Sequence, residues 1–384
     1  MFGQYLIIVY SIFNVASQNI ASNSFLLTKT YGQQNSITVD ESIDLHNFYN
    51  EYYALTLRIG TPLQTLQVLV DTGSSILWLA NYTCDNCSIL NRYKPFKSQT
   101  YIDFNQTYTQ IYGQGECQGS FGQDLISISD TPINTNLTFL LANQVSDLFL
   151  QETTSGIMGL SNWDQYNNIF ESAYSNNQIQ SPLFGFQFLN STQGSQLFYG
   201  QFNQSILDQT IWIKTNMKKQ WSTQILGIQI NNDEYLYFED HSSIFDSGTT
   251  CLLLEEKVYN HIYNNYFNCN LDCDCNNVYP NLTFFFQGAK VTVPESAYKR
   301  YLQNGSCSMC IDQAKSTNIL GDPFMKQFIS IFNKEEQLIG LYQTQKTFNI
   351  KYWYFYSALG IQIIFICALV YYQVQRKLFL LAGE

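Results

Sequence analysis

A four-residue pattern occurs twice in this chain, and the repetition limits the folds open to it more than any other feature. Asp71-Thr72-Gly73-Ser74 follows the apolar run LQVLV, and Asp246-Ser247-Gly248-Thr249 follows SSIF. Each is followed further on by two apolar residues and a glycine, Ile157-Met158-Gly159 and then Ile319-Leu320-Gly321. The two aspartates lie 175 residues apart, the scale of a whole domain. A chain built from two similar halves can bring equivalent loops together about a pseudo-two-fold axis, which predicts Asp71 beside Asp246. One such tetrapeptide alone reads as a turn whose aspartate caps nearby backbone N–H groups. Two copies with matched strands and matched glycine partners point to a shared site.

The chemistry follows from the pairing. Two carboxyl groups held about 3 Å apart do not both ionise readily, so they share a proton. The ionised member can take a proton from water while the other hydrogen-bonds a scissile carbonyl, giving direct water attack without an acyl-enzyme. Gly73 and Gly248 let the loops approach each other closely, and the hydroxyls of Thr72, Ser74, Ser247 and Thr249 can bond across the junction. The chain has no G-x-S-x-G and no H-E-x-x-H, and only three histidines, at 46, 241 and 261. Nucleophilic catalysis therefore has few possible bases. A glycosidase with paired carboxylates finds no support in hydroxyl-rich loops related by a repeat.

Charged residues make up 13 % of the chain and aromatics 16 %, which argues for a folded core. The net charge of −11 excludes a nucleic-acid partner, which needs a basic face. Short β-branched and aromatic runs recur from residue 51 onward, at 53–59, 66–70, 124–128, 137–141, 183–188 and 282–286, and predict a mostly β protein. Helices are expected over 255–267 and 163–174. At the N-terminus, the apolar run 5–13 followed by Val15 and Ser17 predicts a signal peptide over 1–17. Residues 18–48 are polar and aperiodic, suiting a pro-segment or linker. Residues 352–372 (YWYFYSALGIQIIFICALVYY) carry no charge, are long enough to span a bilayer and end in aromatic residues. They predict a single C-terminal transmembrane helix with a cytosolic tail over 373–384. Arg376, Lys377 and Glu384 after the span disfavour a glycolipid-anchor signal. The expected topology is single-pass type I in the secretory pathway, at the cell surface or in an acidic vacuole or lysosome-like compartment. Eight N-x-S/T sequons, at Asn81, Asn86, Asn105, Asn136, Asn190, Asn203, Asn281 and Asn304, suit that route.

From about residue 52 to 341 the chain resembles the pepsin-like aspartic proteases. The resemblance rests on residues 53–62 (YALTLRIGTP), 70–78 (VDTGSSILW), 111–115 (IYGQG), 155–160 (SGIMGL), 244–250 (IFDSGTT) and 319–324 (ILGDPF). It implies a bilobal, mostly β fold with pseudo-two-fold symmetry, an N-terminal lobe over 49–200, a C-terminal lobe over 201–346, and a monomer. It implies an aspartic endopeptidase acting on extended polypeptides, with Asp71 and Asp246 catalytic, no cofactor and no metal. Tyr112 and Gly113 would tip a flap buttressed by Trp78; Ile157 and Phe149 would line an apolar pocket beside the cut. Ser247 stands where the family commonly has threonine, which keeps the hydroxyl and loses a methyl. A catalytically inactive peptide-binding or adhesion protein is the alternative, against which Asp71, Asp246 and Tyr112 are all retained. The basic pro-segment typical of the family is missing: Lys29 is the only Lys or Arg in 18–48. Nine cysteines precede the apolar span. By resemblance Cys84 pairs with Cys87 and Cys275 with Cys307, Cys117 falls in the flap, and Cys251 is expected as a buried free thiol. Oxidised loops are expected rather than a zinc cluster.

Overall fold

The computed structural model describes residues 41–343, apart from 49–50, 86, 88–90, 114, 129–130, 147–153, 164, 166, 192, 217–218, 232–233, 268, 270–272 and 303–304. The expected signal peptide, the span 352–372, the tail and Phe149 lie outside the described residues. Among the described residues no helix is long and apolar enough to cross a membrane.

Strands dominate and helices are few and short. Thirteen strands form one continuous ladder that passes from the first half into the end of the second. One arm runs Ser195–Tyr199, Ser42–Phe48, Tyr52–Ile59, Gln64–Asp71, Gly156–Gly159, Trp78–Asp85, Asn134–Val145, Glu116–Ile128 and, at the end, Ile102–Ile111. Its other arm carries Phe184–Gln187, Ile329–Asn333, Leu338–Tyr342 and Ile211–Lys214. An eight-stranded sheet contains Ser222–Ile230, Ser242–Phe245, Asn318–Leu320, Leu252–Leu254 and Ile311–Gln313. The architecture is mostly β and two-lobed.

The expected strands appear: 282–286 is matched at both ends, 53–59 and 66–70 extend by one or two residues at an end, and 183–188 shortens to Phe184–Gln187. Residues 124–128 and 137–141 are the end and the middle of the longer strands Glu116–Ile128 and Asn134–Val145. The helix expected over 163–174 begins only at Ile169, because Asn168 caps it: its side chain accepts from the Phe170 and Glu171 N–H groups, and Glu171 reaches back to the Asn168 N–H. The stretch read as aperiodic ends differently too. Ser42–Phe48 is a strand with Ile43, Leu45 and Asn47 buried, paired with Ser195–Tyr199 on one side and Tyr52–Ile59 on the other. Two apolar residues alternating with Asp44 and His46 form too short a pattern to stand out.

An aromatic column joins the two arms. Phe184 stacks on Phe332 at 5.1 Å, Trp221 meets Phe332 at 4.9 Å, and the Trp221 indole N–H donates to the Leu160 carbonyl at 2.7 Å. Such rings bury large apolar area, and each pair adds about 0.5–1.5 kcal/mol beyond that burial. Trp221 thus fixes the chain just beyond Gly159 to the second half.

The cysteines require one correction. Cys251 is not a free thiol: it is bonded to Cys310, with the Cα atoms 4.7 Å apart. Leu252 pairs with Ile311 in a parallel ladder, so the residues just before these two strands are brought side by side. Cys84 is bonded to Cys87, Cys269 to Cys273 and Cys275 to Cys307. Cys117 is the free cysteine among the described residues, and it is fully buried.

Candidate active site

Asp71 ends an apolar strand and Asp246 directly follows one, and each strand has the matching apolar-apolar-glycine segment as its neighbour. Gln64–Asp71 runs parallel to Gly156–Gly159, with Asp71 opposite Gly159. Ser242–Phe245 runs parallel to Asn318–Leu320, with Phe245 opposite Leu320. The glycines have a steric reason. A Cβ on Gly159 would lie 2.4 Å from the Ile76 nitrogen, and one on Gly321 would lie 2.3 Å from the Thr249 carbonyl oxygen. In both halves the loop carrying the aspartate crosses directly over the glycine.

Four hydrogen bonds from two hydroxyls lock the loops together. Thr72 Oγ1 donates to the Phe245 carbonyl at 2.8 Å and accepts the Ser247 N–H at 2.9 Å. Ser247 Oγ donates to the Val70 carbonyl at 2.9 Å and accepts the Thr72 N–H at 3.0 Å. The arrangement is reciprocal, as a two-fold axis between the loops requires.

The carboxylates sit on top of this junction and are treated alike. Asp71 Oδ1 accepts the Gly73 N–H at 2.8 Å, and its Oδ2 accepts the Ser74 hydroxyl. Asp246 Oδ1 accepts the Gly248 N–H at 2.8 Å, and its Oδ2 accepts the Thr249 hydroxyl at 2.7 Å. A Cβ on Gly73 would lie 2.6 Å from Asp246 Cγ, and one on Gly248 would lie 2.5 Å from Asp71 Oδ1. Each glycine is therefore pressed against the opposite carboxylate. Burial and then the adjacent Asp246 carboxylate raise the Asp71 pKa well above the usual carboxylate range. The site keeps a proton on the pair under conditions where an isolated aspartate is ionised.

The dyad lies in a cavity of about 510 Å³. One wall carries Leu69, Trp78 and Ile157, and the opposite wall carries Leu253, Met309 and Ile311. The hairpin of Ile102–Ile111 and Glu116–Ile128 rises beside it, closed by the Tyr112 N–H to the Gly115 carbonyl at 2.9 Å. Tyr112 lines the cavity and its hydroxyl is buried. Burial first, then Cys117 and Asp71, push the phenol well above its ordinary pKa. Trp78 itself is buried in the apolar cluster that also holds Cys84, Cys87, Cys117 and Phe121. Exposed Gly113 at the hairpin tip accepts the Lys315 ammonium at 3.0 Å, a contact across the mouth of the cavity.

Asp71, Asp246, Gly248, Thr249, Trp78, Tyr112, Gly113 and Ile157 thus meet at one cavity, with Thr72, Gly73, Ser74 and Ser247 beneath or beside it. Cys84–Cys87 lies under the hairpin and Cys275–Cys307 in the other lobe, away from the dyad. The opposite wall was missed. Leu253 reaches the cavity because its strand pairs with the I-L-G segment, and Ile311 and Asp312 because theirs pairs with Leu252–Leu254 in turn; Met309 lies just before that last strand. The one local signal was the pair Cys251 and Cys310, each just before an apolar residue.

A family described as eukaryotic aspartyl protease matches residues 52–344. The chain belongs to that family. It is 27 % identical over 323 residues to pepsin A of Gallus gallus, covering 79 % of this chain and 88 % of that protein. Gastricsin of Mus musculus is 28 % identical, covering 76 % of this chain and 80 % of that protein. Cathepsin E of Aquarana catesbeiana is 26 % identical, covering 77 % and 80 %. The aspartyl proteases are thus matched over both lobes.

Proposed function

We propose that the chain is an active aspartic endopeptidase that hydrolyses extended polypeptides, with Asp71 and Asp246 as its catalytic pair. The observation that carries this is the mutual confinement of two carboxylates, each pressed by the other half's glycine and each satisfied by the same N–H and hydroxyl pair. In this reading the ionised carboxylate takes a proton from the attacking water, and the protonated one hydrogen-bonds the scissile carbonyl. The proton ends on the leaving amine and the pair returns to its starting state. Tyr112 and Gly113 cover the substrate, and Ile157 with Phe149 receives an apolar side chain beside the cut. The raised Asp71 pKa supports working at acidic pH, where the single shared proton is retained.

The same reading gives the chain a secretory route. An N-terminal signal peptide, the uncharged segment 352–372 and the sequons support a glycosylated ectodomain on a single C-terminal anchor.

The test is cleavage of a peptide library across pH, with and without pepstatin. Asp71→Asn should abolish turnover while thermal unfolding shows a folded protein. Undiminished cleavage by that variant, or an optimum at high pH without pepstatin sensitivity, would sink the mechanism.

A further inference from the structure

The strand Ile102–Ile111 is the last of the thirteen-stranded ladder, so one of its edges has no strand partner among the described residues. Residues 102–107 are all exposed, with Ile102 at 52 % and Phe104 at 45 %. Its sequence IDFNQTYTQI holds one charge and no proline, and the chain has no Lys or Arg between Lys97 and Lys214. A β-rich edge of low charge is a template for pairing with a second chain, and lysines or proline are the common protection. This edge has neither. It has a bulge instead: the register shifts between Asp103 and Gln106, with Asn105 at φ 50° and its N–H on Asp103 Oδ1 at 2.8 Å. Asn105, exposed at that bulge, begins the sequon Asn105-Gln106-Thr107.

We propose that Asn105 is an N-glycosylation site whose sugar covers this open edge and keeps the protein monomeric. The inference rests on the secretory reading above. The transfer replaces one bond by another: the Asn105 amide nitrogen attacks the anomeric carbon of a lipid-pyrophosphate oligosaccharide. A C–N bond forms, the C–O bond breaks, the amide loses a proton and the lipid pyrophosphate departs. The bulky, strongly hydrated sugar then stands where a second strand would dock.

Other sequons do not offer the same combination. The Asn81 amide nitrogen is engaged with Asn143 Oδ1 at 2.7 Å, and its own Oδ1 is buried. Asn203 and Asn281 accept backbone N–H groups at 2.8 and 3.3 Å, at sites away from the edge. Asn136 is exposed, but its strand is flanked by neighbours on both sides.

The experiment is expression of the full chain in eukaryotic secretory cells and purification in mild detergent. Enzymatic deglycosylation in heavy-oxygen water marks occupied asparagines, read from chymotryptic peptides by mass spectrometry. Asn105 should carry the mark. Thr107→Ala, which alters an exposed hydroxyl and leaves the αL asparagine in place, should lose one glycan and shift from monomer to dimer and larger species in sedimentation. Trimming the sugar of the folded wild type to a single N-acetylglucosamine with an endoglycosidase, which keeps Asn105 as an amide, should cause the same shift. Marks at other sequons with Asn105 bare would overturn the proposal alone; absence of sugar at every sequon would overturn the secretory reading with it. A trimmed wild type and a Thr107→Ala variant that both remain monomeric would overturn the shielding role.

Discussion

Thr72→Val removes one buried hydroxyl and almost no volume, so it isolates the hydrogen bonds that join the two aspartate loops. The Thr72 hydroxyl serves two backbone groups, the Phe245 carbonyl and the Ser247 N–H. Thr72 and Phe245 are 0 % exposed and Ser247 6 %, so water does not reach the orphaned groups without local opening. Each unsatisfied buried group costs about 1–3 kcal/mol, which brackets the loss at about 2–6 kcal/mol. The cavity beside Ser247 gives the N–H a short route to solvent, so the expected value is in the lower half, about 2–3 kcal/mol. Ser247→Ala orphans a different pair, the Thr72 N–H and the Val70 carbonyl, and the same count predicts the same loss.

The double variant separates this account from two unrelated defects. Once one hydroxyl is gone and the junction loosens, the other pair becomes accessible to water, so the combined loss should fall short of the sum by about 1 kcal/mol. Urea unfolding of the four proteins measures this coupling. Peptide hydrolysis provides the second readout, since displacing the dyad by about 1 Å should lower kcat/KM about 100-fold. Single variants within about 0.5 kcal/mol of wild type that keep full kcat/KM would refute the interlocking role, because two buried groups cannot be orphaned without cost.

Three further outcomes follow from the same geometry. Gly248→Ala places a methyl 2.5 Å from Asp71 Oδ1; it should cut kcat/KM about 100-fold or more while circular dichroism is unchanged, and retained activity would show that the carboxylate can move aside. Because the folded-state pKa of Asp71 is raised, its proton stabilises the fold at low pH, and that contribution is lost as pH rises through the raised value. Unfolding free energy should therefore decline from acid toward neutral pH, and Asp71→Asn should flatten the decline; parallel curves would contradict the assignment. The Cys251–Cys310 bridge spans 59 residues, with Cys275–Cys307 nested inside it. Replacing both Cys251 and Cys310 by alanine should cost about 3–4 kcal/mol by loop-closure entropy, seen by calorimetry, and an unchanged Tm would show the ladder alone holds these strands.

The two aspartate loops were legible in the sequence because their constraints are local and stated twice. An aspartate after an apolar strand, a glycine too close to tolerate a Cβ and hydroxyls on either side must all occur within four residues, so the tetrapeptide carries the geometry almost unaided. The matching glycines at 159 and 321 were legible as a pattern but not as a reason, since what excludes a Cβ there is the backbone of a loop far back in the chain. The opposite wall was illegible for a related cause. Met309, Ile311 and Asp312 reach the cavity only because Ile311–Gln313 pairs in parallel with Leu252–Leu254, a register with no signature of its own. Cys251 was misread at that same ladder: expecting one bridge in the second lobe left it unpaired, whereas the register that brings Ile311 to Leu252 also brings Cys310 to Cys251. The two cysteines could have revealed the wall in advance. An odd thiol count with one buried cysteine in the hairpin leaves eight to pair, and any pairing of Cys251 with Cys310 forces the strands that follow them together beside Asp246.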